Sequence, residues 1–109
     1  MSILFAMLVA MQGAPDAQAR FEAVGGLSRT WRTCTEREAR TMAMRSGEAA
    51  DVIARAAMAA CSTDETALRL AIRSATLAVG QSAVDADGIV DRAKASQREK
   101  LLAIVIKAR

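Results

Sequence analysis

The two cysteines constrain this chain more than any other feature. Cys34 and Cys61 lie 27 positions apart and are the only cysteines in 109 residues. On one straight helix that separation would hold them roughly 40 Å apart, whereas a disulfide needs Cα atoms about 5.5 Å apart. A bond between them therefore demands a reversal of the chain, and Ser46-Gly47 is the only good reversal signal in the interval. Arg45 suits a helix C-terminus, and Gly47 behind it is a stop signal. Cys34 lies about as far before this turn as Cys61 lies after it, so two antiparallel helices of matched length would set them side by side. Closing the loop is expected to stabilise the domain by roughly 3–4 kcal/mol in the chain-entropy model. The alternative is two buried, reduced cysteines packed as small apolar residues. No Cys-x-x-Cys is present, and no basic partner is placed to activate a thiol, so a catalytic redox role is not expected.

A disulfide persists where the surroundings are oxidising, and the N-terminus points to such a place. An apolar run from Ile3 to Met11 precedes Gly13 and Pro15, and then the small-x-small end Ala17-Gln18-Ala19. This is the layout of a secretory signal. Residues 1–19 are expected to be a signal peptide cleaved between Ala19 and Arg20, leaving residues 20–109 as a single helical domain. The apolar run is about nine residues, against roughly 20 needed to span a bilayer. No Lys or Arg precedes it, which keeps open an uncleaved N-terminus that tethers the chain to a membrane. The other reading is a buried N-terminal helix, which Gly13 and Pro15 would break.

The remainder is rich in alanine and poor in aromatics, and after Pro15 it has no proline. Long uninterrupted helices packed closely through Ala faces are the expected result. A first helix starting near Ser28 lets Trp31, Cys34 and Met42 share a face. Thr33 with Glu36, and Thr35 with Glu38, compete as capping boxes for its start, and Gly25-Gly26 before it reads as a flexible joint. Ala49 to Cys61 has only Asp51 and Arg55 as polar residues, which marks a central, buried helix. Ser62 with Glu65 repeats the capping spacing and opens a helix to Val79, either separate from its predecessor or continuous with it. Leu68, Ala71, Ile72, Ala75 and Val79 should point inward, and Arg69, Arg73 and Thr76 outward. Gly80 ends it. Ser82 and Asp85 begin the last segment, Gly88 interrupts it, and a helix follows from about Ile89 to Lys107.

Several chemistries fall away. The chain has no His and no Tyr, which removes His-based triads, His acid–base catalysis and the commonest zinc ligands. Asp85-Ala-Asp87-Gly88 has part of a calcium-loop pattern, but the first ligand position would be Ala83 and the twelfth Lys94. Glu36 and Glu38, two apart, point to different helix faces and form no acid–base dyad. Trp31 is expected in the core, an exposed interface anchor being the alternative. From Arg20 onward the net charge is +4, short of the dense basic stripe of a nucleic-acid binder. Arg92, Lys94, Arg98 and Lys100 near the C-terminus are the candidates for contact with an anionic surface, Lys94 and Arg98 being one helical turn apart.

Trp31-x-x-Cys34, the Ser46-Gly47-Glu48 turn and an Ala-rich helix ending Ala59-Ala60-Cys61 resemble small exported helical proteins of bacteria whose roles are uncharacterised. The resemblance covers about the middle third of the chain and implies a disulfide-stapled helical hairpin. It implies nothing about activity.

The expectation is an all-α, three- or four-helix bundle with a disulfide-stapled hairpin, exported to the periplasm. Catalytic residues, metal ligands and cofactors are not expected. The function expected is that of a non-enzymatic structural or protein-interaction module with an unidentified protein partner and no nucleic acid. The alternative is a weak binder of anionic envelope components or membrane surface through the C-terminal helix.

Overall fold

The computed structural model describes the backbone of residues 2–109 and the side chains of residues 16–109. Four helices follow one another: α1 (Ser2–Arg45), α2 (Ala50–Ala60), α3 (Ser62–Ala78) and α4 (Ala83–Ala108). α1 packs against all three of the others, and α4 packs against both α2 and α3. The chain turns back after Arg45. Ser46 N–H donates to Met42 O at 2.9 Å, and Ser46 Oγ accepts from Glu48 N–H at 3.1 Å. α2 and α3 then run back along α1 with an elbow at Cys61, and α4 returns alongside α1. The result is in effect a three-armed bundle, each arm packed on the other two, with a bend in the second arm.

The disulfide expected from the turn is present. Cys34 on α1 and Cys61 at the elbow are bonded, with Cα atoms 6.1 Å apart. The question of one helix or two between Ala50 and Ala78 resolves as two, because Cys61 leaves helical geometry at φ −106°, ψ 27°.

Two apolar clusters form the core. One joins Ala39, Ala43, Ile53, Ala54, Ala57, Leu101 and Val105 near the Ser46 turn. The other gathers Trp31, Cys61, Leu68, Ile72, Ala86 and Val90. Met58, beside the elbow, packs against both. Trp31 is a core residue at 1% exposure, and among the described residues its Nε1 is the one buried side-chain polar atom without a partner.

Several local expectations are corrected. α1 continues through Gly13 and Pro15, since a proline removes one N–H from the ladder and leaves the remaining turns intact. Gly25 and Gly26 lie within α1 rather than forming a joint. Each costs about 1 kcal/mol against Ala, but Val24, Leu27 and Trp31 around them are packed into the second cluster. The Thr33, Thr35 and Ser62 capping signals cap nothing. Thr35 Oγ1 instead donates back to Arg32 O at 3.0 Å, as Thr30 Oγ1 does to Gly26 O and Thr66 Oγ1 to Ser62 O. A hydroxyl within a helix bonds the preceding turn as readily as it caps.

α2 is not buried all round. Ile53, Ala54 and Ala57 face inward, and Val52, Ala56, Ala59 and Ala60 face solvent. An alanine methyl transfers little area, so leaving it in water costs under about 1 kcal/mol. On α3, Thr76 is buried and Val79 is 48% exposed, the reverse of expectation. α1 and α4 both pack on α3, which widens its buried arc to include Thr76, while Val79 lies beyond the helix end. α4 starts at Ala83 and runs through Gly88, because Ser82 and Asp85 form a complete capping box ahead of it.

Candidate functional site

The four basic residues expected to face an anionic surface do not lie on one face. α4 buries Ala86, Val90, Gln97, Leu101 and Val105. Lys94 and Arg98 flank this stripe on the side of α2 and α3, where both border one hollow. Lys100 flanks it on the side of α1, where its Nζ lies 3.5 Å from Glu36 Oε1. Arg92 borders a separate hollow with Asp85 and Gly88 at the start of α4. Only the pair one helical turn apart is brought together.

The hollow shared by Lys94 and Arg98 has a volume of about 370 Å³ and is also bordered by Arg55, Met58, Ser62 and Glu65. A second, of about 360 Å³, is bordered by Asp51, Arg55, Arg98 and Leu102. Because Arg55 and Arg98 border both, the two form one trough along the α2–α4 seam. Arg55 on α2 was missed by sequence reasoning. Read alone, its spacing from Asp51 marks a surface pair at i, i+4, and the two are 3.5 Å apart. Only the packing of α2 on α4 brings it to the same hollows as Arg98. Glu65 is shared between Arg69 at 3.4 Å and Lys94 at 3.5 Å.

Between the two apolar clusters lies a polar layer. Gln97 Nε2 donates to Thr35 Oγ1 at 3.0 Å and to Glu36 Oε2 at 3.2 Å. Thr35 and Gln97 are both buried. Glu36 is drawn into this layer, with its side chain only 16% exposed.

The disulfide borders a further hollow, with Arg29, Thr33, Arg37 and Asp64 around Cys34. Cys34 is half-buried, and Cys61 is 2% exposed. Among the described residues, no group of three or more His, Cys, Asp or Glu side chains is placed to hold a metal ion, and no helix is long and apolar enough to cross a membrane.

No protein-family model, curated protein or solved structure matches this chain.

Proposed function

We propose that this chain is an exported, periplasmic helical module that binds other components rather than catalysing a reaction, with a mature part beginning at Arg20. The observation that carries the reading is the Cys34–Cys61 bond. It ties α1 to the elbow between α2 and α3, and such bonds persist in oxidising compartments. The burial pattern of α1 supports the cleavage position. Gln18 to Ala23 are exposed, Ala17 before them is partly buried, and continuous partial burial begins at Val24. From Arg20 to its end, α1 is as long as α4, which has 26 residues. Removing residues 1–19 would therefore leave three arms of similar length.

The test is expression with the native N-terminus, followed by fractionation and intact-mass analysis. Soluble exported protein should begin at Arg20 and resist alkylation until reductant is added. Intact Met1 in that soluble fraction, or thiols labelled without reductant, would reject the reading. Intact Met1 confined to the membrane fraction would favour the tethered form.

A second reading, binding of anionic envelope components through α4, is favoured by one observation: Lys94 and Arg98 border the same trough. Binding to anionic vesicles should then fall steeply with salt, because exposed charges are screened within about 10 Å at 0.1 M. It should also fall with Lys94→Glu plus Arg98→Glu. Binding that salt leaves unchanged would dismiss it.

A further inference from the structure

The α2–α4 trough gathers cations from two helices around a concave space, which a solvated helix face does not do. We propose that it is a binding site for a phosphate-type oxyanion, with Arg98 as its standing cation and Arg55 and Lys94 as cations recruited to the ligand. The proposal rests on the reading of α4 as an anion-binding helix, and it moves the site from the face of that helix to its seam with α2.

Three relationships support it. Arg98 makes no ion pair or side-chain hydrogen bond among the described residues, yet it borders both hollows. A planar guanidinium with five N–H donors matches the paired oxygens of a phosphate. Among the described residues Arg55 is held only by Asp51, at 3.5 Å, with both side chains about two-thirds exposed. A pair so open to water holds weakly, so Arg55 can turn to a doubly charged ligand at little cost. Lys94 shares Glu65 with Arg69, and Arg69 keeps that carboxylate compensated when Lys94 swings into the trough. The Ser62 hydroxyl borders the same hollow and supplies a neutral donor. Charge-assisted bonds from two guanidiniums and an ammonium favour an anion with oxygens directed several ways over a single planar carboxylate.

The probe is inorganic pyrophosphate, titrated into the full chain at low salt by calorimetry, alongside Arg55→Ala, Arg98→Ala and Arg92→Ala. Arg92 is exposed and outside the trough, and helical circular dichroism checks each variant for folding. Wild type and Arg92→Ala should bind alike, within about twofold, and Arg55→Ala and Arg98→Ala should each bind at least about tenfold more weakly. A tenfold loss corresponds to one charge-assisted contact at about 1.4 kcal/mol. Absence of pyrophosphate binding by the wild type, or equal loss in Arg92→Ala and Arg98→Ala, overturns the site. Vesicles of phosphatidylglycerol in phosphatidylcholine separate the sources. Vesicle binding that pyrophosphate competes away makes the lipid headgroup the occupant. Pyrophosphate binding without vesicle binding makes it a soluble phosphate ester. Vesicle binding that Arg55→Ala leaves intact retains the basic-helix reading and removes the trough.

Discussion

Gln97 on α4 donates to Thr35 Oγ1 on α1 at 3.0 Å, across 62 positions of sequence. The pair lies between two apolar clusters that would otherwise merge along α1 and α4. Alanine-lined helices slide past one another easily, because small side chains make shallow ridges. A buried amide that finds its acceptor at one register opposes that sliding. Gln97→Ala is therefore expected to destabilise by about 1–3 kcal/mol, from the lost hydrogen bonds and the cavity left behind. Thr35→Val with Gln97→Leu removes both ends of this hydrogen bond while Glu36 keeps Lys100, and should recover much of that loss. Urea unfolding of the two variants with the disulfide intact decides the matter. A double variant as unstable as Gln97→Ala would remove the hydrogen bond from the explanation.

Loss of the staple should be costly in a domain this size. Cys34→Ala with Cys61→Ala is expected to lower the unfolding free energy by about 3.5 kcal/mol, the chain-entropy value for a loop of this length. The helices should still form, because both clusters join α1 to other helices through residues apart from the bond, with Trp31 and Leu68 in one and Ala39 and Ile53 in the other. Far-ultraviolet circular dichroism near native, together with a lower urea midpoint, is the expected result.

Two glycines should respond to alanine with opposite signs. Gly80 closes α3 at φ +82°, and nothing lies within 4 Å of a Cβ built there. Its substitution therefore meets only backbone strain, about 1–2 kcal/mol unfavourable. Gly88 lies inside α4, where an added Cβ would meet only the Arg92 guanidinium at 3.7 Å. Gly88→Ala should stabilise by up to about 1 kcal/mol. Paired thermal melts of the two variants test the contrast.

The start of α4 should be sensitive to acid. Asp85 accepts hydrogen bonds from Ser82 N–H and Ser82 Oγ, each at 3.0 Å, and these hold its carboxyl below the ordinary value of 3.8. A carboxyl depressed on folding adds stability at pH values above its unfolded pKa, and that contribution fades as pH falls through the folded pKa. Asp85→Asn should therefore flatten the stability profile below pH 3.8 and leave its shape near neutrality unchanged. Ser82→Ala removes the cap itself and should cost about 1 kcal/mol at neutral pH. Unfolding midpoints measured from pH 2 to 7 on both variants distinguish these effects.

The hairpin was legible in the sequence because its signals are local. Arg45, Ser46 and Gly47 stop a helix whatever surrounds them, and bond geometry then allows only a fold-back between Cys34 and Cys61. Gly80 was readable as a helix stop for the same reason, whereas Gly88 hid the fact that Ser82 and Asp85 cap a helix that starts at Ala83. Local signals also misled. Capping spacings at Thr33, Thr35 and Ser62 are as compatible with a helix interior as with its start, and Gly25-Gly26 reads as a joint only while its neighbours are taken to be unpacked.

What the tertiary structure alone decided is which side of each helix meets another. Alanine is nearly indifferent between water and protein, so beyond the Asp51–Arg55 pair the sequence of α2 marks no outward face, and packing against α1 and α4 settled the rest. That packing brought Arg55 to the same hollows as Arg98, sent Lys100 to Glu36 instead of to its neighbours on α4, and buried Gln97 against Thr35. Turns and caps are encoded in adjacent residues, whereas pairings between distant side chains exist only once three helices have settled into one register.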